Sequence, residues 1–281
     1  MKIKADGHIH TPFCPHGSSD SLELYVERAA ALGFQEMTFT EHAPLPESFL
    51  DPAPTRDSSM SRADLDRYFT GIRKVKDKYR KDIRVNAGLE VDFIRGYEKE
   101  TADFLNDIGH ELDDSILSVH FIYAGGEWVC MDYSANEFNR LTDKAGSVEN
   151  VYRLYYETVH ASVLSDLGPY KPKRIGHMTL ARKFQKKFPV HQDFKPEILS
   201  ILNDIKRLGL ELDYNGAGTV KPGCLEPYPP GWAAAEADRL GIPLIYGSDA
   251  HAADGLGQGI SALEPDVRFS LPSGSRRRYH L

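Results

Sequence analysis

The sequence of 281 residues has no apolar run long enough to cross a bilayer, so it does not predict an integral membrane protein. Its three cysteines, Cys14, Cys130 and Cys224, are widely spaced and form no CxxC pair. A disulfide framework is therefore not expected, as is typical of proteins in a reducing compartment. No apolar stretch follows Lys2 and Lys4, so we expect no signal peptide and a cytoplasmic location.

Several familiar functional signals are also missing. There is no P-loop, no G-x-S-x-G nucleophile elbow and no dinucleotide-binding G-x-G-x-x-G. The formal net charge of −7 gives no broad basic face, which disfavours nonspecific binding to nucleic acid. Arg276–Arg278 form a short basic tail, and we interpret this tail and His280 as a frayed terminus. Homo-oligomerisation stays open.

The sequence is rich, however, in histidines at the ends of predicted strands. His8 and His10 stand two residues apart in a predicted strand over residues 3–10. Because side chains alternate along a strand, both imidazoles leave the same face about 6–7 Å apart and can reach one metal ion. Pro and Gly residues between 12 and 17 then turn the chain, so His16 can return over the same pocket. Such a pair alone is weak evidence for a metal site.

The same kind of ending recurs along the chain. Further apolar runs end in His42, Glu90, His120 and His177, and a run near the other terminus ends in Asp249 and His251. Together with the first segment these residues give nine candidate metal ligands: His8, His10, His16, His42, Glu90, His120, His177, Asp249 and His251. So many polar strand ends predict one shared metal site. Cys14 lies within the first segment between two candidate ligands, so thiolate ligation is an alternative, but we favour its interpretation as an ordinary free thiol.

The alternation of strands and helices predicts the fold class. Seven predicted strands alternate with helices, and this pattern is typical of parallel strands joined by right-handed crossovers. In barrels of this kind the active site lies at the carboxyl ends of the strands. We therefore predict a single α/β domain, a barrel-like (β/α)7 fold over residues 1–260, followed by a tail at 261–281. The Pro-rich segment 43–60 is predicted to be a lid, and Ser61 and Asp64 to open a helix as a capping box.

The ligand types indicate the metal and the chemistry. Many imidazoles with few carboxylates suit zinc, iron or manganese, and nine ligands suit two or three divalent ions. Metal ions about 3.5–4 Å apart stabilise the attacking and the leaving oxygens of phosphoryl transfer. The sequence therefore predicts a metal-dependent hydrolase of phosphate esters.

These segments resemble the metal motifs of the PHP (polymerase and histidinol phosphatase) superfamily over residues 1–260. The matching motifs are D-G-H-I-H-T at 6–11, T-E-H at 40–42, G-L-E-V-D at 88–92, S-V-H at 118–120, I-G-H at 175–177 and G-S-D-A-H at 247–251. Within the superfamily, F-C-P-H-G at 13–17, A-R-K-F at 181–184 and the N-x-A-G…K-P segment at 215–222 resemble histidinol-phosphate phosphatases.

The resemblance implies a distorted (β/α)7 barrel, similar to a TIM barrel, with three metals. By motif, His8, His10, Glu90 and Asp249 would hold the first metal, Glu90, His120 and His177 the second, and His16, His42 and His251 the third. Glu90, Asp249 and His251 are the residues expected at the reaction centre. The implied activity is hydrolysis of L-histidinol phosphate to L-histidinol and phosphate by a water or hydroxide that the metals activate.

The predicted substrate contacts come from residues outside the ligand set. Arg182, five residues after His177, is predicted to clamp the phosphate, with Arg153 and Asn215 as further contacts; Arg62 and Lys183 rank lower. Asp92 is a candidate for an acidic wall facing the cationic substrate. The alternatives are hydrolysis of nucleotides or other phosphate esters by the same site, and a non-catalytic module that metal stabilises. The acidic chain favours a small monoester over nucleic acid.

Overall fold

Seven parallel strands form one sheet whose two edges meet. This computed structural model describes residues 3–272, so the predicted basic tail Arg276–Arg278 and His280 lie outside the described residues. The described residues form nine strands, seven in this sheet and two in a separate hairpin. They are β1 (Ala5–Ile9), β2 (Glu36–His42), β3 (Arg84–Asp92), β4 (Ile116–Ser118), β5 (Phe121–Ala124), β6 (Glu127–Cys130), β7 (Arg174–Ile175), β8 (Glu211–Asn215) and β9 (Leu244–Gly247). The strand order β1-β2-β3-β4-β7-β8-β9 is that of sequential parallel pairing.

The contact between β1 and β9 nearly closes the sheet into a barrel. The backbone N–H of Asp249 donates to the carbonyl of His8 at 2.7 Å, and that of His10 donates to the carbonyl of Ala250 at 2.9 Å. The predicted (β/α)7 barrel is therefore confirmed. β5 and β6 form a separate antiparallel hairpin beside it.

Helices cover the outside of the barrel because each has one apolar face. They are α1 (Leu22–Ala31), α2 (Leu65–Lys78), α3 (Glu98–Ile108), α4 (Ala135–Ala145), α5 (Val148–Leu164), α6 (Lys195–Arg207) and α7 (Gly231–Leu240). The buried face of α2 is the predicted one: Leu65, Tyr68, Phe69, Ile72 and Val75. Among residues 3–272, no helix is long and apolar enough to span a membrane.

The structure differs from the predicted elements in three places. α4 was not predicted, and its N-cap is Ser134, whose side chain accepts from the N–H of Glu137. β4 and β7 are shorter than expected, so His120 and His177 stand beyond the last paired residues. The prediction of a capping box was wrong. The hydroxyl of Ser61 donates to the carboxylate of Asp64 at 2.7 Å and does not accept from the helix backbone.

A buried ion pair braces the barrel beneath the strand ends. Arg174 at the start of β7 is fully buried and donates to the carbonyl of Gly7 at 2.8 Å and to Asp114 at 2.7 Å. A Cβ at position 7 would lie 2.3 Å from the guanidinium, so only glycine allows this close approach.

Candidate metal centre

The carboxyl ends of the strands bring the predicted ligands to one mouth of the barrel. β1 carries His8 and is followed by His10; β2 ends at His42, and Glu90 lies two residues before the end of β3. His120 and His177 follow β4 and β7, and Asp249 and His251 follow β9. The loop after β1 adds His16 beside them, so one cavity of about 520 Å³ is lined by ligand types from five strands and this loop.

Glu90 lies at the centre of this cluster and is 1% exposed. One carboxylate oxygen lies 2.8 Å from Nε2 of His177 and accepts from the hydroxyl of Ser118 at 2.6 Å. The other oxygen faces three further imidazoles: Nδ1 of His42 at 3.2 Å, Nε2 of His8 at 3.4 Å and Nε2 of His10 at 3.5 Å. A carboxylate that faces imidazoles on both sides is placed to join neighbouring metal sites.

Carboxylates behind the imidazoles fix the orientation of the rings. The contacts are Nδ1 of His8 to Asp213 at 2.9 Å, Nδ1 of His10 to Glu41 at 3.3 Å and Nδ1 of His120 to Asp92 at 2.8 Å. A histidine held in this way presents Nε2 to the site, and the arrangement is typical of metal-binding imidazoles. The sequence analysis did not identify Asp213 and Glu41 as partners of these histidines. Glu41 directly precedes His42 in β2, and Asp213 lies in β8, two residues before Asn215. Asp92 was expected at a substrate wall, but one of its oxygens supports His120.

The donor atoms fit divalent metal ions. Nε2 of His8, Nε2 of His10, Nδ1 of His42 and Nδ1 of His177 are buried and have no hydrogen-bond partner within the described chain. Leaving such atoms unpaired is costly, and a metal ion would satisfy them. Ligand atoms lie within 4.8 Å of one another in four groups: His8, His10 and Asp249; His8, Glu90 and His177; His42, Asp92 and His120; and His10, Cys14, His42 and His251.

The outermost group differs from the expected set. Cys14 was interpreted as an ordinary free thiol, yet its buried sulfur lies among His10, His42 and His251. Two consecutive tight turns, from Thr11 to Cys14 and from Cys14 to Gly17, place it there. The ring of His16 lies 5.3 Å from that of His42 and 5.1 Å from that of His251, although its nitrogens belong to none of the four groups.

The pKa values of the clustered side chains are shifted in opposite directions. Burial disfavours the charged form of His8, but Glu90, Asp249 and Asp213 outweigh burial and raise the pKa of His8 to about 10. Asp92 and Glu90 likewise overcome burial and raise the pKa of His120 to about 10. Burial and the neighbouring charge of His10 instead lower the pKa of His251 to about 3. Although Glu90 is buried, the surrounding imidazoles hold its pKa well below the usual range.

Two predicted phosphate contacts, Arg182 and Arg153, are not among the residues that line this cavity. Nε of Arg182 donates to Glu226, and Arg182 lines a neighbouring cleft of about 500 Å³ with Trp232. Arg153 is exposed and donates to Asn150 at 2.7 Å. The turn at Leu180–Phe184 is a 3-10 helix, and consecutive residues in it point to different sides.

Asn215 supports a ligand and does not line the cavity. Its side-chain amide donates to Asp249 at 3.1 Å and to Asp213 at 3.1 Å, and its carbonyl accepts from the N–H of Ala217. In this structure the side chain of Asn215 therefore holds Asp249.

Lys183, which ranked below Arg182 in the sequence analysis, is a basic side chain that lines the same cavity as the predicted ligands. Its Nζ donates to Asp132 at 2.9 Å, and both residues line the metal cavity. Desolvation raises the pKa of the partly buried Asp132, but Lys183 and His120 outweigh it and hold that pKa below the usual range. Asp132 was missed because it follows the β5–β6 hairpin, which reads as a local addition to the barrel.

The Pro-rich segment 43–60 packs beside the cavity without a helix or strand. Phe49 and Ala53 are buried against Ile94, Phe121 and Cys130. Near its end, the carbonyl of Asp57 lies 2.9 Å from Nδ1 of His16. The segment thus contributes directly to the wall of the site.

Comparisons with known proteins define the class. The PHP domain model matches residues 6–215, and the PHP-associated model matches residues 232–270. The chain belongs to the PHP domain family. It is 46% identical to a histidinol-phosphatase of Bacillus subtilis (strain 168), over 92% of this chain and 97% of that protein.

Solved structures have the same architecture. A Listeria monocytogenes protein to which histidinol phosphatase activity is ascribed is 40% identical, with a TM-score of 0.87 over 92% of this chain and 99% of that one. The histidinol phosphate phosphatase of Lactococcus lactis, solved with zinc, L-histidinol and phosphate, is 22% identical with a TM-score of 0.62. That likeness covers 89% of this chain and 87% of the other, and it shows the shared fold.

Proposed function

We propose that this chain is a metal-dependent phosphomonoesterase that hydrolyses L-histidinol phosphate to L-histidinol and phosphate. The observation that carries the proposal is the cluster of imidazoles around the buried carboxylate of Glu90 at the mouth of the barrel. The substrate is supported by the 46% identical histidinol-phosphatase, which this chain matches over nearly its whole length.

The residues would hold two or three divalent ions of zinc, iron or manganese. We assign His8, His10, Glu90 and Asp249 to the first ion, Glu90, His120 and His177 to the second, and His16, His42 and His251 to the third. Zinc is favoured because imidazole nitrogens dominate the donor set and because the Lactococcus lactis relative binds zinc. When bound, such ions supply a nucleophile at neutral pH and neutralise charge on the transferring phosphoryl group.

The chain's own residues prepare the site for this reaction. Asp213, Glu41 and Asp92 each hold one imidazole by Nδ1, so Nε2 points inward before any ligand arrives. We assign the reaction centre to Glu90, Asp249 and His251, and Asn215 holds Asp249 from behind. Preorganised rings and carboxylates reduce the rearrangement needed when the phosphate ester binds.

Turnover of four substrates under identical metal conditions tests the proposal. L-Histidinol phosphate should have a kcat/KM well above those of p-nitrophenyl phosphate and a mononucleotide, and single-stranded DNA should be untouched. A preference for the nucleotide or for DNA would overturn the substrate assignment, while the metal-site assignment would stand.

We also propose a cytoplasmic location and no nucleic-acid or membrane partner. All three cysteines are free and buried, which suits a reducing compartment. The net charge of −7 is unfavourable for binding to anionic polymers or lipid surfaces.

A further inference from the structure

Two cavities meet at the metal centre, and the ion pair of Asp132 and Lys183 lies where they join. The larger cavity, of about 520 Å³, lies over Glu90, Asp249 and His251. The smaller one, of about 260 Å³, lies between residues 57–58 and the β5–β6 hairpin. The residues that line both are His16, His42, His120, Asp132 and Lys183.

The smaller cavity has the chemistry of a site for an organic cation. Apart from its histidines, its charged lining side chains are Asp57, Asp92, Asp132 and Lys183, so carboxylates outnumber the single amine. Phe121 and Tyr133 add aromatic surface to the same cavity. Aromatic faces and carboxylates together favour positively charged ligands.

We propose that Asp132 and Lys183 exchange partners when the substrate binds, so that Lys183 contacts the phosphate group and Asp132 contacts the cationic amine. This inference rests on the proposed function, because histidinol phosphate carries both charges. The phosphate would occupy the larger cavity at the metal ligands, and the amine end would enter the smaller one.

The burial of the ion pair explains why the exchange would select the substrate. The side chains of Lys183 and Asp132 are 23% and 18% exposed, so separating them without replacement is unfavourable. A substrate with both charges gives each residue a new partner. A phosphate ester without a cation would engage Lys183 and leave the partly buried Asp132 unpaired, so it would bind less well.

The alternative is a purely structural ion pair that ties the hairpin to the turn at Leu180–Phe184. Both interpretations predict weaker activity when either residue is changed. They differ in substrate dependence, because a structural pair would affect cationic and uncharged esters by the same factor.

The test uses Asp132→Asn, Lys183→Met and the control Lys186→Met in the metal-loaded protein. Lys186 lies three residues after Lys183 in the chain, but it lines the neighbouring cleft together with Arg182. The substrates are L-histidinol phosphate and O-phosphoethanolamine, which carry an amine, and p-nitrophenyl phosphate, which does not. Asp132→Asn should lower the ratio of kcat/KM for the cationic esters to that for p-nitrophenyl phosphate at least about tenfold. Lys183→Met should lower kcat/KM for all three esters, because each carries the phosphate group, and the product-inhibition test below separates this role from a structural one.

Inhibition by the two products separates the roles independently of turnover number. Asp132→Asn should raise the inhibition constant of L-histidinol more than that of phosphate, and Lys183→Met should do the reverse. Lys186→Met should leave both constants within about twofold of the parent.

An unchanged substrate ratio in Asp132→Asn, or kinetics of Lys183→Met equal to those of Lys186→Met, would overturn the inference. Loss of bound metal in either variant would also overturn it, since it would assign the pair to metal binding. The parent protein separately tests the proposed function: if it does not prefer L-histidinol phosphate, the function fails whatever the variants show.

Discussion

Nε2 of His177 lies 2.8 Å from Oε1 of Glu90, and this contact joins the segment after β7 to the centre of the ligand cluster. The same carboxylate faces His8, His10 and His42 with its second oxygen. Imidazoles therefore face both oxygens of Glu90, and its replacement should disturb more than one metal site.

Glu90→Gln should lower both the metal content and the turnover. A bridging carboxylate contributes charge and a donor atom to two ions at once, so we expect metal affinity to fall at least about 10–100-fold. Elemental analysis after gel filtration and steady-state kinetics measure the two effects. Glu23→Gln, on a partly exposed surface of α1, is the matched control. Parent-like stoichiometry and turnover in Glu90→Gln would contradict the bridging role.

Exhaustive chelation should abolish phosphatase activity. The four groups of ligand atoms share several residues, and this suits two or three ions per chain rather than four separate ones. Elemental analysis of the purified protein should find two or three transition-metal ions per chain, and adding them back should restore turnover. Less than one ion per chain with full activity after chelation would refute the metal dependence.

The sequence was enough to predict the ligands' convergence because the signal is local. Each candidate ligand follows an apolar run, and parallel strands bring their carboxyl ends together whatever the lengths of the intervening helices. His120 and His177 show this well, since both reach the site although β4 and β7 are shorter than predicted.

The partners of these ligands could not be predicted in the same way. The pairing of Asp213 with His8 joins residues 205 positions apart and depends on the register of β8 between β7 and β9. The choice between Arg182 and Lys183 depends on how a short 3-10 turn is rotated, which no periodic pattern reports. The position of Asp132 depends on the path of the β5–β6 hairpin, which the residue directly follows.

Arg182→Ala should leave kcat/KM within about twofold of the parent, because Arg182 lines the neighbouring cleft. Its interaction with Glu226 should instead be visible in stability. A double-mutant cycle with Glu226→Ala should give a coupling free energy of about 1 kcal/mol, since both side chains are partly exposed. Denaturant unfolding and steady-state kinetics measure the two quantities. A tenfold or greater loss of kcat/KM in Arg182→Ala would restore the sequence-based phosphate clamp.

Metal binding to the metal-free protein should release protons, and the apparent affinity should rise with pH. The pKa values of His8 and His120 are raised to about 10, so both rings are protonated at neutral pH and must lose a proton before they bind metal. His16, whose pKa is raised to about 9, and His10, whose pKa is raised well above its usual value, are also assigned ligands. Binding should therefore release at least about two protons, and the effect should weaken as the pH rises through 9 to 10. Calorimetric titration with zinc at pH 7, in buffers of different ionisation enthalpy, counts the protons. Heats that are independent of the buffer would contradict the prediction.

Phe49→Ala should loosen the segment 43–60 and weaken substrate binding more than turnover. The ring of Phe49 is 6% exposed and packs edge-on against Phe121 at 5.1 Å and Trp128 at 5.6 Å. Removing a buried aromatic ring costs about 3–5 kcal/mol, and that loss falls on the contacts that hold this segment. Because residues 57–58 line the smaller cavity, a loosened segment should raise KM for L-histidinol phosphate.

Limited proteolysis with mapping of the cut sites should show faster cleavage within 43–60. Leu50→Ala is the control, since Leu50 is the next residue and is 68% exposed. If both variants are cut at the same rate and keep the parental KM, the packing of Phe49 does not hold the wall of the site.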